Sequence, residues 1–376
     1  AVIVNGLGPR GGALAALLLA ASLGFVSLRV TATDGWFYAW LVPVAVQTPL
    51  GLVWANACHY YFETRKRRHL KKVFGSYLAP VMVEQIAEAE EMPRLGGHEA
   101  VITPFFSDVE GFSAFSEELT AANLTLLLNE YLGAMTEAIQ DEGGTLDKYI
   151  GDAIVAMFGA PLPQLDHAAR ACRAALKMQA AQLTLQQQWA ASGARWPERV
   201  HHMRTRIGLH TGLAVVGNMG SVVRFNYTMA GDTVNLAARC ESAAKQYGAY
   251  LLVSGETRAA ATAHDERLVF RQVDRCAVVG RQQPVELFEL LGFRDELDAQ
   301  TADCLSTFQT GLEAYRHGAW EAAMAAFERS APLERWQPER NRGVKRNPSL
   351  ALLERCRRLA AEPPEEWNGV YQLESK

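Results

Sequence analysis

The chain has 376 residues, more than one typical domain, so two or three structural units are expected. Its formal net charge of −4 is close to neutral for this length and gives no strong basic field, so no nucleic-acid partner is expected. The six cysteines are scattered without a CxxC pair. This argues against a zinc site or a secreted disulfide framework and favours buried, reduced thiols.

Two uncharged apolar blocks lie near the N-terminus, at residues 12–28 and 36–58. The first is just long enough for a short membrane span, and the second carries Trp and Tyr near both ends, as at membrane interfaces. A run of Lys and Arg at residues 65–72 would hold the following flank in the cytoplasm. We therefore expect transmembrane helices within residues 1–59, contact with the lipid bilayer of an inner or plasma membrane, and a cytoplasmic catalytic region. Two buried soluble helices are the alternative.

Residues 60–98 are expected to connect the membrane to the rest of the chain. Residues 70–90 have the pattern of an amphipathic helix interrupted at Pro80. Residues 92–98 contain one proline and two glycines and are expected to be a linker. We interpret the helix as a juxtamembrane dimer helix.

From Ala100 the pattern alternates between strands and helices, and Gly151-Asp152 forms a two-residue turn between two short predicted strands, which predicts a β-hairpin. The order of elements predicts an α+β sandwich of the ferredoxin-like type over residues 99–293. Strands are predicted at residues 100–108, 145–150, 153–158, 204–216, 222–227, 250–253, 269–273 and 285–290, and helices at 116–141, 166–189 and 231–247.

Residues 294–376 form a predicted helical tail. Residues 305–330 have the spacing of aromatic and small residues seen in one helix-turn-helix repeat of tetratricopeptide (TPR) type. One such repeat cannot bury its own apolar face, so it must dock, and a protein partner for this TPR-like tail is a possibility. Residues 363–370 resemble an anchoring segment.

Two aspartates are candidate metal ligands. Asp108 ends an apolar strand in FFSDVEGF, and Asp152 lies in the hairpin turn of KYIGDAIVAMFG. If the hairpin lies beside the first strand, the two carboxylates converge. Paired carboxylates that hold two Mg²⁺ or Mn²⁺ ions are the usual apparatus for attack at phosphorus. A strand end and a turn former are the structural alternatives.

A third segment, FNYTMAGDTVNLAARCES, places Asn235 and Arg239 four residues apart on one helix face. An amide and a guanidinium presented together suit a phosphate or a ribose. A surface pair without a role is the alternative. His210, in GLHTG, is expected to be packed or hydrogen-bonded rather than catalytic.

In order and spacing, FSDVEGFSAFSE, KYIGDAIVAMFG, RIGLHTGLAVVGNMG and YTMAGDTVNLAAR resemble the class III adenylyl and guanylyl cyclase family over about residues 100–290. The region KVFGSYLAPVMVEQI and the apolar blocks resemble the segment between a CHASE2 sensor and such a domain. The resemblance implies an adenylate cyclase that makes cyclic AMP and pyrophosphate from ATP in signal transduction. It implies metal binding by Asp108 and Asp152, ribose orientation by Asn235 and transition-state stabilisation by Arg239. The positions expected near the triphosphate are Val109, Glu110, Gly111 and Phe112.

The resemblance also implies that Lys148 and Thr228 read the base. Guanylyl cyclases typically have Glu and Cys at these two places. A lysine donor suits N1 of adenine, whereas the N1–H of guanine is itself a donor, and mismatched buried polar groups discriminate strongly. ATP is therefore favoured over GTP.

In this family the two aspartates come from one chain and the other groups from its partner, so a homodimer with two equivalent sites is expected. One position departs from the family, because Val279 stands where a phosphate-contacting lysine is common, and Arg281 is the candidate to supply that charge. A guanylate cyclase and a membrane-bound pseudocyclase that signals only by dimerisation are the alternatives. A palm-type dinucleotide cyclase is disfavoured because no GG[DE]EF stretch occurs.

Overall fold

The computed structural model describes residues 20–33, 48–74, 95–277 and 284–372, together with residues 14 and 18. The chain divides into two compact units, Ala1–Glu91 and Met92–Lys376. In the first unit, residues 20–33 are helical (α1) and a second helix, α2, spans Thr48–Phe74.

The predicted membrane spans are not borne out. Among the residues that the structure describes, no helix is both long and apolar enough to cross a membrane. The described helix α2 continues from Thr48 through Glu63 and the basic run to Phe74. In α1, Arg29 lies within the helix. On this finding the predicted membrane location is wrong, and the predicted transmembrane helices and bilayer contact are not supported.

Residues 75–90 of the predicted dimer helix and most of the region that resembles a CHASE2 connector lie outside the described residues, while residues 70–74 belong to α2. In the second unit, the structure describes an α+β fold. Its strands are β1 (Gly96–Val109), β2 (Thr145–Ile150), β3 (Ala153–Phe158), β4 (Thr205–Leu209), β5 (Gly212–Gly220), β6 (Phe225–Ala230), β7 (Leu251–Ser254), β8 (Leu268–Ala277), β9 (Val285–Phe293) and β10 (Tyr371–Gln372). Its helices are α3 (Phe112–Ser116), α4 (Ala121–Asp141), α5 (His167–Ala191), α6 (Asp232–Tyr247), α7 (Gly255–Thr262), α8 (Ala299–Arg316), α9 (Trp320–Ser330) and α10 (Pro348–Ala361).

The first four strands have the ferredoxin-like arrangement that the sequence predicts. Their spatial order is β4-β1-β3-β2 with antiparallel pairing, and α4 and α5 make the two crossovers. The sheet continues beyond β4 through β7, β9 and β8 to β10, while β5 pairs with the first half of β1 and with β6.

Local chemistry explains where the helices of this layer begin and end. The hydroxyl of Thr120 accepts a hydrogen bond from the backbone N–H of Asn123 and caps α4. Gly248 adopts the left-handed conformation (φ 67°) that ends α6, as its sequence position predicts. Helices α4 and α5 bury their apolar faces on the sheet, around Met135 and Ile139 of α4 and Met178 of α5.

Several elements differ from the prediction. The helix expected at 116–141 is divided into α3 and α4, and the strand expected at 222–227 lies three residues later, as β6. Residues 204–216 form two strands, because the chain leaves β4 at His210-Thr211 and β5 turns to pair with the other half of β1. Residues 255–262, assigned no structure from the sequence, form α7, which Ser254 caps through Thr257.

The helical tail packs on the cyclase-like sheet and shares a core with it. Phe308, Tyr315 and Phe327 of α8 and α9 join one buried cluster with Tyr247 of α6 and Val273 of β8. The helical hairpin is thus present and its apolar face is covered by this chain itself, whereas its assignment as a TPR-like repeat and a protein partner for it stay predictions.

Two buried ion networks join the tail to the sheet. Arg271 of β8 contacts Glu289 of β9 and donates to Glu334 of the tail at 2.9 Å. In the second network Arg355 of α10 contacts Asp274 of β8. All of these side chains are almost fully buried, so each charge depends on its partners for compensation.

The predicted anchoring segment at residues 363–370 packs against the tail. The ring of Trp367 lies 5.2 Å from that of Tyr315 and 5.1 Å from that of Trp320, and its Nε1 donates to the Tyr315 carbonyl at 3.0 Å. The cysteines behave as predicted: five are buried free thiols and Cys58 is partly exposed.

Candidate active site

The two candidate metal ligands converge as the sequence predicts. Strand β1 pairs with β3 up to Ser107 and Ile154, so Asp108 at the end of β1 faces the turn that carries Asp152. Gly151 takes a positive φ of 66° in this turn. The backbone N–H of Val109 donates to Asp152 Oδ2 at 3.1 Å and holds this carboxylate at the end of β1.

The electrostatics of this pair suit a divalent cation. Burial raises the pKa of Asp152, and the negative charge of Asp108 raises it further. Two carboxylates that repel each other at a half-buried position are stabilised by a cation between them. No cluster of three or more His, Cys, Asp or Glu ligands occurs among the described residues. Two carboxylates nevertheless fit Mg²⁺, which usually takes one or two from the protein and completes its shell with water and substrate phosphates.

The structure adds a basic group to this pair that the motif analysis did not single out. Arg206 of β4 lies opposite Asp108 in the sheet, and its Nη2 is 2.8 Å from Asp108 Oδ2. Its Nε donates to Glu241 of α6 at 3.3 Å, and its Nη1 is 3.8 Å from the Glu110 carboxylate. A buried guanidinium beside a metal ligand is suited to phosphate oxygens. The one sequence signal was an arginine within an otherwise uncharged strand.

Two hydrogen bonds to Glu110 hold the loop after β1 in place. The backbone N–H of Glu110 donates to the Arg204 carbonyl at 2.8 Å, and the Tyr250 hydroxyl donates to Glu110 Oε2 at 3.1 Å. Burial, followed by the Glu110 charge, raises the pKa of Tyr250, so its hydroxyl stays a donor. Gly111 adopts the left-handed conformation (φ 70°) and opens the short helix α3, which starts at Phe112.

The two predicted base-reading residues lie together. Lys148 Nζ is 3.4 Å from Thr228 Oγ1, and both contact Asp147, a residue that the sequence analysis did not select. Thr228 donates to Asp147 Oδ2 at 2.5 Å, and Lys148 Nζ is 3.5 Å from Asp147 Oδ1. Asp147 is nearly inaccessible, and burial raises its pKa. The signal available in the sequence was its position next to Lys148.

Asn235 and Arg239 lie on the side of α6 that faces away from the sheet. Glu241, which contacts the Asp108 partner Arg206, follows Arg239 by two residues and so lies about 200° around the helix from it. Asn235 is exposed and Arg239 is partly exposed. Within one chain the structure therefore does not bring these two side chains to the aspartate pair.

Arg281 and Val279 lie outside the described residues. His210 is buried, and its Nδ1 is 2.7 Å from Ser254 Oγ, which agrees with the expected packing role.

Comparison with known proteins identifies the family. The family model described as the adenylate and guanylate cyclase catalytic domain matches residues 97–292, just over half of the chain. Adenylate cyclase 1 of Rhizobium meliloti is 34% identical over 212 residues, which are 56% of this chain and 30% of that protein. The adenylate cyclase of Anabaena cylindrica is 31% identical over 224 residues, 59% of this chain and 42% of that protein. The chain thus spans less than half the length of these relatives.

Solved structures are also similar to this chain. The adenylyl cyclase CyaB from P. aeruginosa is 35% identical, with a TM-score of 0.48, and the match covers 54% of this chain and 100% of that one. A bacterial light-regulated adenylyl cyclase is 24% identical, with a TM-score of 0.51, over 62% of this chain and 64% of that one. On the family match, this chain belongs to the adenylate and guanylate cyclase catalytic domain family.

Proposed function

We propose that the domain at residues 97–292 converts ATP to 3′,5′-cyclic AMP and pyrophosphate, for signal transduction, at a site that two copies of the chain complete. The names of the curated relatives, which are adenylate cyclases, support this activity. The observation that carries the choice of ATP is the hydrogen bond from Thr228 to Asp147 beside Lys148.

This cluster presents the hydrogen-bonding pattern that adenine requires. Because the Thr228 hydroxyl donates its hydrogen to Asp147, its oxygen remains available as an acceptor for the adenine amino group. Lys148 is a donor for N1 of adenine. Guanine offers the opposite pattern, an acceptor at O6 and a donor at N1, so both contacts would be mismatched. A site built this way is expected to prefer ATP strongly.

The chain's own residues have distinct tasks in the proposed reaction, attack of the ribose 3′-oxygen on the α-phosphorus. Asp108 and Asp152 would hold two divalent cations, Mg²⁺ or Mn²⁺. When bound, such ions lower the pKa of the attacking hydroxyl and neutralise triphosphate charge. The backbone N–H of Val109 positions the Asp152 carboxylate. The loop from Glu110 to Phe112 would position the phosphates beside the two carboxylates.

Three further side chains would act on the substrate. Arg206 would contact phosphate oxygens beside Asp108, and Asn235 would orient the ribose. Arg239 would offset the charge that develops on the α-phosphoryl group. Arg281 is proposed as a further phosphate contact.

A homodimer is supported by the exposed surface next to the base-reading residues. In the paired strands β1, β5 and β6, Val101 lies opposite Leu213, and Thr228 lies opposite Gly217 on the same face. Val101 is 56% exposed, Leu213 55% and Val215 39%. An apolar sheet face of this kind suits a second copy, whose aspartate pair would then meet Lys148 and Thr228.

The activity test uses purified protein with Mg²⁺ or Mn²⁺ and with ATP and GTP in parallel, and measures both cyclic nucleotides. We expect cyclic AMP from the wild type and none from Asp152→Ala. Cyclic GMP as the main product would show a guanylate cyclase instead. No product from wild-type dimers would favour a pseudocyclase and refute the proposal.

The shared site is tested by complementation. Asp152→Ala and Arg239→Ala are each expected to be inactive, because each removes its group from both sites. Mixed dimers would regain one intact site, so an equimolar mixture should recover roughly one quarter of the wild-type rate. Absence of recovery in mixtures that do form dimers would argue against a site shared between chains.

A further inference from the structure

A tryptophan of the C-terminal tail rests on the residues that hold the loop after β1. Trp336 lies between α9 and α10, and its ring is 5.3 Å from that of Tyr250 in an edge-on arrangement. The guanidinium carbon of Arg204 lies 4.7 Å from the centre of the same ring. Tyr250 and Arg204 are both buried, whereas Trp336 is half-buried and covers them from the tail side.

Arg204 depends on this ring. Its Nε is buried and has no hydrogen-bond partner among the described residues. A buried guanidinium without a full set of hydrogen bonds is costly, and a cation–π contact with an indole is a strong compensating interaction. Removal of the indole would therefore leave Arg204 free to turn towards the Glu110 carboxylate, which attracts it.

Both residues under Trp336 hold Glu110. Arg204 accepts the Glu110 backbone N–H through its carbonyl, and Tyr250 donates its hydroxyl to the Glu110 side chain. Glu110 is two residues from Asp108, and its carboxylate is 3.8 Å from Arg206, which pairs with Asp108. If Glu110 is released, its carboxylate can compete with Asp108 for Arg206.

We propose that Trp336 is a positioning residue for this loop and acts on it through Tyr250 and Arg204. The C-terminal tail then forms part of the working catalytic unit, although it lies outside the family match. This inference rests on the proposed cyclase activity.

The test compares four variants. Trp336→Ala removes the indole, and Trp336→Phe keeps an aromatic ring in its place. Tyr250→Phe removes only the hydroxyl that binds Glu110. Trp367→Ala is the matched control, since it removes an indole from the same tail that packs on Tyr315 and Trp320 instead. Thermal unfolding of each variant is measured alongside the kinetics.

We expect kcat/KM for ATP to fall about tenfold in Trp336→Ala, mainly through KM, and by a similar factor in Tyr250→Phe. Trp336→Phe should recover most of the activity. The double variant Trp336→Ala/Tyr250→Phe should have a kcat/KM no lower than that of the less active single variant, because both changes remove support from the same residue, Glu110.

Kinetics of Trp336→Ala equal to those of Trp367→Ala, or fully additive losses in the double variant, would overturn the inference. If Trp336→Ala does not fold, Tyr250→Phe decides: kinetics equal to those of Trp367→Ala would overturn the inference. Affinity for the Mn²⁺ complex of a non-cyclisable ATP analogue, measured by calorimetry, is a second readout. An inactive wild type would refute the proposed function, whereas unchanged analogue affinity in Tyr250→Phe would refute the positioning role.

Discussion

Replacement of Arg355 by methionine should destabilise the second unit strongly. The Arg355 guanidinium contacts Asp274 and lies 3.4 Å from the Tyr315 hydroxyl and 3.5 Å from the Tyr247 hydroxyl. It also stacks over the Tyr247 ring at 4.9 Å. Methionine fills a similar volume but removes the charge, so Asp274, which is 1% exposed, is left without its cation.

The size of the effect follows from that uncompensated carboxylate. Burial already raises the pKa of Asp274, even with Arg355 beside it. Loss of one partner of a buried ion pair costs about 3–5 kcal/mol. For a unit of this size each kcal/mol corresponds to about 2–4 °C, so the melting temperature should fall by roughly 10 °C.

Unfolding in urea, followed by circular dichroism, measures the change in free energy. The matched variant Arg355→Met/Asp274→Leu removes both charges, and it should recover most of the loss because no buried charge remains. A loss below about 1 kcal/mol in the single variant would refute the reasoning, as would a double variant less stable than the single one.

Three further predictions concern the site and the sheet. Asp147→Asn should raise KM for ATP and narrow the preference over GTP, because the threonine hydroxyl of the base-reading pair is no longer fixed as an acceptor; steady-state kinetics with both nucleotides check this. Gly208→Ala should lower the free energy of unfolding by about 1–3 kcal/mol and reduce activity, since a Cβ there would lie 2.1 Å from the backbone nitrogen of Glu241 in α6. Gly133→Ala is the control, because a Cβ at Gly133 would have no neighbouring atom within 4 Å. The pKa of Asp265 is lowered to about 2, mainly by its hydrogen bond to an arginine. The contribution of this carboxylate to the free energy of unfolding is therefore present above about pH 4 and is lost as the pH falls towards 2. Urea midpoints at pH 5 and pH 3 should therefore differ more in the wild type than in Asp265→Asn.

Much of the fold could be predicted because local patterns decide it. The hairpin of β2 and β3 has the predicted bounds, since Gly151 and Asp152 supply its turn between two six-residue strands. The convergence of Asp108 with Asp152 follows from that hairpin once β1 pairs with β3. The end of α6 at Gly248 is likewise set by one residue that tolerates a positive φ.

The residues that were missed depend on partners distant in sequence. Arg206 becomes part of the site only because β4 pairs with β1 in a register that places it opposite Asp108. Asp147 acquires its role through Thr228, some eighty residues later. Neither pairing leaves a periodic or spacing signal, because each is set by the register of strands that are far apart in the chain.

The membrane prediction failed because apolar composition does not fix where a helix begins or ends. The block at residues 36–58 was treated as one span, but the part of it that the structure describes, from Thr48, belongs to a helix that continues through the basic run to Phe74. Among the described residues, no helix combines the length and the apolar character that a membrane span requires.

The buried ion networks bear on where the catalytic unit ends. Such networks add little net stability, because desolvation offsets most of the attraction between the charges. They are compensated, however, only when Glu334 meets Arg271 and Arg355 meets Asp274, so they allow the tail essentially one position on β8. A boundary at residue 292 would remove Arg355 from Asp274 and Trp336 from Arg204, and it would uncover the apolar side of β8 and α6 on which the tail packs. The physically complete unit therefore extends through α10, and a protein truncated at the edge of the family match is expected to lose both stability and the support of the loop after β1.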